Sequence, residues 1–113
     1  MVEAVLFVTR MLGEHSTPSR VLNATRITGV VKQVDWEQNS QRFKITFLGD
    51  RNSDGKDEII RTDRLDSSNG PLVRRMVEQE LVGHRCLIFK EVETSHSDQT
   101  KKVRICPYIK RLD

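Results

Sequence analysis

A chain of 113 residues is one domain's worth and buries enough surface for one core, so a single function is expected. Its 19 Lys and Arg stand against 16 Asp and Glu, a net charge of +3, which guarantees no global field and leaves any partner to be argued from where the charges fall. No stretch of about twenty residues is uninterrupted and apolar, and residues 1–12 carry Glu3 and Arg10 without a basic leader; neither a membrane span nor a secretory signal is expected, and a soluble cytoplasmic protein follows.

In chain order, Val5 to Thr9 has strand composition, although Val2, Val5, Leu6 and Leu12 also suit a helical face; we read it as a weak strand. Gly13 to Arg20 is small and polar and holds Pro18, a loop. Residues 1–20 are therefore an N-terminal extension and linker, and residues 21–113 the folded domain. Thr25 to Trp36 is β-branched and apolar with Gly29 inside it, which predicts a long first strand with a bulge or bend at the glycine. In the next segment Phe43, Ile45 and Phe47 alternate with Arg42, Lys44 and Thr46, a half-buried strand with a basic outer face.

The turn RNSDGK leads to a returning strand, Asp57 to Leu65. A hairpin centred near Ser53 and Asp54 would set Phe47 against Ile60 and Ile45 against Thr62 inside, with Lys44 against Asp63 and Thr46 against Arg61 outside. Gly70 and Pro71 then open a helix in which Leu72, Val73, Met76, Val77 and Leu81 recur at helical spacing, from Pro71 to Val82, with Gly83 to end it. His84 to Glu93 and Lys101 to Lys110 read as two further strands, with Pro107 tolerable only at an edge or bulge.

The order β-β-β-α-β-β predicts a mainly β protein, a five-stranded OB-fold Greek-key barrel whose helix plugs one end. Ile27, Gly29, Val31 and Val34, followed by Phe43, Ile45, Phe47 and Asp50, resemble the first hairpin of OB domains that bind single-stranded nucleic acid, and the resemblance covers about Thr25 to Asp113. It implies a module binding single-stranded nucleic acid; we expect it to be non-enzymatic, with DNA the expected ligand ahead of RNA. With only Trp36, Tyr108 and four Phe, such binding would use few aromatic contacts.

An OB barrel brings its second and third strands, the loop between strands one and two and the loop between strands four and five to one side. In this sequence those regions hold Trp36, then Arg42, Lys44 and Arg61, then Lys101, Lys102 and Arg104; Tyr108, alternating with Ile105 and Ile109, should share the outer face with Arg104 and Lys110. Basic groups contact phosphates and rings supply stacking surfaces. The same residues also fit an ordinary solvated face balanced by Asp35, Glu37, Asp63 and Glu91, with Trp36 capping the barrel. A protein-interaction subunit, adaptor or inhibitor is the alternative function, binding a partner or itself through the apolar N-terminal segment.

Asp50, Asn52, Asp54 and Gly55 match the opening of an EF-hand loop, but its twelfth position, which should be a bidentate carboxylate, is Arg61 and strands flank the loop. Hairpin turn chemistry explains the motif. A hairpin folded near His96 would set Cys86 almost opposite Cys106, yet both lie among strand apolar residues and lack paired zinc-ligand spacing; core thiols are expected, with a disulfide open only in an oxidising setting. No metal or cofactor is expected. No nucleophile with a base, no paired carboxylates and no phosphate-cradling glycine loop stand at a usable spacing, so no enzyme is expected either.

Overall fold

The computed structural model describes residues 23–65, 70–94 and 102–113. Five strands and one helix follow the expected order: β1 Thr25–Glu37, β2 Arg42–Gly49, β3 Glu58–Thr62, α1 Gly70–Leu81, β4 Arg85–Thr94 and β5 Lys102–Arg111. The strands close into a barrel in the order β1-β2-β3-β5-β4, every pair antiparallel except β3 with β5. The expected N-terminal strand, the linker and the boundary at residue 20 lie outside the described residues.

β1 is long because it serves two partners. Thr25 to Val30 pair with β4, and Gly29 to Glu37 pair with β2. Gly29 sits where both ladders meet, and a Cβ there would lie 2.5 Å from the Leu48 carbonyl oxygen, so glycine is required by close approach of two strands. The irregularity expected at Gly29 falls instead between Val31 and Gln33. Its reason is visible in the side chains: Val31 and Val34, three residues apart, are both fully buried, while Lys32 and Gln33 are exposed. Strict alternation would put the two valines on opposite faces, and the extra residue returns both to the core.

The β2–β3 hairpin differs from expectation by two residues. Lys44 pairs with Arg61, Ile45 with Ile60, Thr46 with Ile59 and Phe47 with Glu58. A shift of two preserves the faces, so Phe43, Ile45, Phe47, Ile60 and Thr62 are buried as the alternation requires. The turn is organised around Asn52 rather than around Ser53 and Asp54. The Asn52 N–H donates to the Gly49 carbonyl (3.1 Å), the Gly55 N–H to the Asn52 carbonyl (3.2 Å) and the Asp54 N–H to Asn52 Oδ1 (3.3 Å), while the Asn52 amide donates to the Lys56 carbonyl. Gly55 takes the left-handed conformation, φ 67°, that closes the loop. At the other end of β3 the buried Thr62 hydroxyl accepts the Phe43 N–H at 3.0 Å and donates to the Asp63 carbonyl at 3.0 Å, so it is satisfied.

α1 closes one end of the barrel. Val77 and Leu81 are buried with the core and Val73 packs against it, but Met76, expected on the same face, is 38 % exposed. After Leu81 the chain joins β1 directly: the Gly83 N–H donates to the Val31 carbonyl (2.8 Å) and the Val31 N–H to the His84 carbonyl (3.2 Å). Gly83, φ 82°, makes that exit possible.

In the last hairpin Thr94 pairs with Lys102, and between the pairs Phe89–Tyr108 and Glu91–Ile105 the single residue Lys90 of β4 faces both Cys106 and Pro107, so Pro107 sits in a bulge of β5, where a residue without an N–H is tolerated. Cys86 faces Arg111, so the near-opposition of Cys86 and Cys106 that a hairpin folded near His96 would give is not formed, and the two are core thiols as expected. Both thiols are free and buried.

Candidate nucleic-acid interface

The outward face of the first three strands presents Gln33, Asp35 and Glu37 from β1, Arg42, Lys44 and Thr46 from β2, and Ile59 and Arg61 from β3. Register sets their neighbours. Glu37 lies opposite Arg42, Asp35 opposite Lys44 and Lys44 beside Arg61. The two-residue shift of the hairpin thus places two cations side by side, and Glu37 offsets them. Arg61 Nε donates to Glu37 Oε1 at 2.7 Å and Nη2 to Oε2 at 3.3 Å, a forked pair about one-third exposed. That hydrogen bonding, opposed by burial and helped by the charges of Arg61 and Lys44, holds the Glu37 carboxyl below its usual range; the Arg61 guanidinium is raised by the same bond.

Arg42 is tied differently. Its Nη1 donates to the Thr62 carbonyl at 2.8 Å, which leans the guanidinium along the end of β3. Lys44 forms no ion pair within 4 Å among the described residues, although Asp35 sits opposite it. Asp35 itself accepts from Gln33 Nε2 at 2.7 Å and lies 3.8 Å from Arg74, which also pairs with Glu78 one turn on at 3.6 Å. Cations and carboxylates therefore interleave across this face.

At the β1–β2 loop, Glu37, Gln38, Asn39, Ser40 and Arg61 line an open groove. The Ser40 hydroxyl is buried there with no hydrogen-bond partner among the described residues. Trp36 is half-buried beside it: its ring meets Phe43 edge-on, centroids 5.0 Å apart at 63°, and its indole N–H donates to Gln38 Oε1 at 2.7 Å. Because Trp36 pairs with the inward Phe43 and packs against the core, it caps the barrel end, and it is not one of the residues that line the groove.

Arg104 lies at the opposite end of β3, where Nη1 donates to Glu58 Oε1 at 3.2 Å. Lys101 and the side chain of Lys102 lie outside the described residues. Tyr108 is half-buried on β5 and is not brought to the β2–β3 face. It pairs with Phe89 of β4, their rings edge-to-face at 5.5 Å and 76°. Of the sequence-predicted residues, the structure gathers Arg42, Lys44 and Arg61 on the outward face, turns Trp36 inward against Phe43 at the barrel end, sets Arg104 at the far end of β3 and pairs Tyr108 with Phe89 on the β4–β5 side.

The acidic stretch after β2 is used inside the fold. Asp50 Oδ2 accepts from the Thr28 hydroxyl at 2.8 Å and from Arg85, stapling the turn to β1 and β4. Among the described residues no three His, Cys, Asp or Glu side chains converge on one point, and no helix is long and apolar enough to cross a membrane. Burial pushes the Cys86 thiol up to about 11 and the Cys106 thiol to about 12.

What sequence reasoning missed is on β1 and in the turn: Arg26 stands over the Phe89 ring, its guanidinium carbon 5.3 Å from the centroid, and Arg51 projects from the β2–β3 turn near the same strand. Arg26 and Phe89 are paired across β1 and β4 but lie far apart in sequence, so no local pattern marks them. Comparison of the chain with protein-family models, with curated proteins and with solved structures finds no match in any of the three.

Proposed function

We propose that this barrel is an OB fold and that it binds single-stranded nucleic acid, with DNA the ligand proposed ahead of RNA, without enzymatic activity. Supporting the fold assignment are the strand order with its parallel β3–β5 closure and the helix between β3 and β4. The observation that carries the functional reading is the common outward register of Arg42, Lys44 and Arg61, with the half-buried Trp36 on the inward register at the end of β1, beside the β1–β2 loop. Cations at strand spacing suit successive phosphates, and a ring at the loop suits one stacked base.

Titration of a fluorescently labelled oligothymidylate tests it. Three phosphate contacts predict a plot of log affinity against log salt with a slope of about −2 for a single strand. Absence of binding at low salt, or affinity indifferent to salt, refutes the reading. A second reading, a protein-binding module, is favoured by one observation: Asp35 and Glu37 interleave with the cations, and Ile59 is 42 % exposed beside them, a mixed surface suited to a protein partner. Removing residues 1–13 separates the two, because loss of assembly with nucleic-acid binding intact supports the protein-binding module.

A further inference from the structure

The opposite shoulder of the barrel carries a cationic cleft of another kind. Arg26, Ile27 and Thr28 of β1, Leu87 of β4 and Arg51 of the β2–β3 turn line it. Two interactions bring the turn against β1: the Asp50 N–H donates to the Thr28 carbonyl at 2.9 Å, and the Thr28 hydroxyl donates to Asp50 Oδ2. Leu87 then lies directly opposite Thr28 across the β1–β4 ladder.

Unlike the β2–β3 face, where Asp35 and Glu37 stand opposite the cations of β2, this cleft has no carboxylate in its lining. Arg61, Arg74, Arg85, Arg104 and Arg111 each have a carboxylate partner. Arg26 and Arg51 have none within 4 Å among the described residues, and no carboxylate lines their cleft. Asp50, next to Arg51 in sequence, is engaged by Arg85 and Thr28. Arg26 stacks on the Phe89 ring, which in turn meets Tyr108. This cation–π contact attracts the guanidinium without giving it an acceptor oxygen, so it adds no carboxylate partner for the Arg26 N–H groups.

We propose that Arg26 and Arg51 form a phosphate-binding cleft separate from the β2–β3 face. Two arginines in the wall of a cleft whose own lining holds no acid provide the forked donors that a phosphate accepts, although Arg51 also borders the neighbouring groove that holds Asp54, Asp57 and Glu58; Ile27 and Leu87 supply an apolar wall for the uncharged part of the molecule that bears the phosphate. That phosphate belongs either to the backbone of a bound strand or to a free phosphorylated small molecule. The chemistry of the cleft is the same for both.

Amide spectra of the full ¹⁵N-labelled chain, titrated separately with inorganic pyrophosphate and with oligothymidylate, distinguish the sources. The comparison protein is the Arg26→Ala, Arg51→Ala double variant; both positions are exposed, and unchanged dispersion of the Ile45 and Phe47 amides reports that it folds. Pyrophosphate should move the amides of Thr28, Arg51 and Leu87 saturably in the native protein and not in the variant. If the strand is the source, oligothymidylate moves the same amides, and the variant binds it about fivefold more weakly, with a salt slope shallower by about 0.7 for each phosphate it no longer neutralises. Pyrophosphate binding without oligothymidylate binding keeps the cleft and overturns the nucleic-acid reading. The cleft itself is overturned if neither probe distinguishes the double variant from the native protein, and oligothymidylate binding unchanged in the variant then leaves the nucleic-acid reading standing.

Discussion

Glu37 and Arg61 illustrate how one pair sets the character of the candidate face. The Glu37 carboxyl titrates below its ordinary 4.5 in the folded chain, so its ionised form stabilises the fold above that value, and the contribution is lost as pH falls through the lower, folded-state value. Both side chains are about one-third exposed, so solvent screening limits the pair to roughly 0.5–1 kcal/mol. Urea unfolding of the native chain and of Glu37→Gln should therefore differ at neutral pH and converge at acid pH; a constant difference would show that the pair contributes nothing electrostatic. The buried thiols behave in the opposite sense. With Cys86 raised to about 11 and Cys106 to about 12 from an ordinary 9.0, the unfolded chain releases protons first, and stability falls as pH climbs above 9. At pH 8 a thiol reagent should label both only as fast as the chain opens, and prompt labelling of the native protein would contradict their burial.

At the scale of elements, glycines and a bulge decide more than propensity does. Gly29→Ala forces a Cβ to 2.5 Å from a backbone carbonyl that belongs to the paired strand, so β1 and β2 must separate. A cost of about 1–3 kcal/mol is expected, read as a lower midpoint of thermal or urea unfolding with the far-ultraviolet spectrum retained. Leu81→Ala empties the point where α1 plugs the barrel and should cost about 2–5 kcal/mol, whereas Met76→Ala, on the exposed edge of the same helix, should change stability by no more than about 0.5 kcal/mol. The helix was legible from its apolar spacing and its glycine end. The strands were legible from alternation, to within one residue at their ends except for β3, which stops at Thr62, three residues before the expected Leu65. Hairpin register was not, because alternation fixes only which face is inside, and a two-residue slip leaves that pattern unchanged. Asn52, whose side chain and backbone organise the turn, selected among the permitted registers.

For the whole molecule, charge placement separates the functional readings. Lys44 has no ion pair among the described residues, so Lys44→Glu tests the β2–β3 face without leaving a partner stranded. Nucleic-acid binding predicts a loss of about tenfold or more in oligothymidylate affinity, together with a shallower salt slope, while Arg75→Ala on the exposed side of α1 changes neither. Equal effects of the two would remove the face from the binding surface. Arg42, Lys44, Arg61 and Trp36 were identifiable from alternation and loop position alone. That Glu37 would grip Arg61, that Tyr108 would turn to β4, and that Arg26 and Arg51 would share a cleft depended on pairings between strands distant in sequence.

Alternation and glycine placement in the sequence by itself determined, for the described residues, the five strands, the helix between β3 and β4, their order and the inward set Phe43, Ile45, Phe47 and Ile60, because burial of every second side chain is a local requirement that any closed sheet must meet. Closure of the barrel decided the rest. The bulge at Lys32 and the bulge at Pro107 shift the ladders after them, the Asn52 turn slides β3 by two residues along β2, and these displacements fix which charges become neighbours. Charge pairing depends on distances of a few ångströms between strands far apart along the chain, and register, not composition, sets those distances.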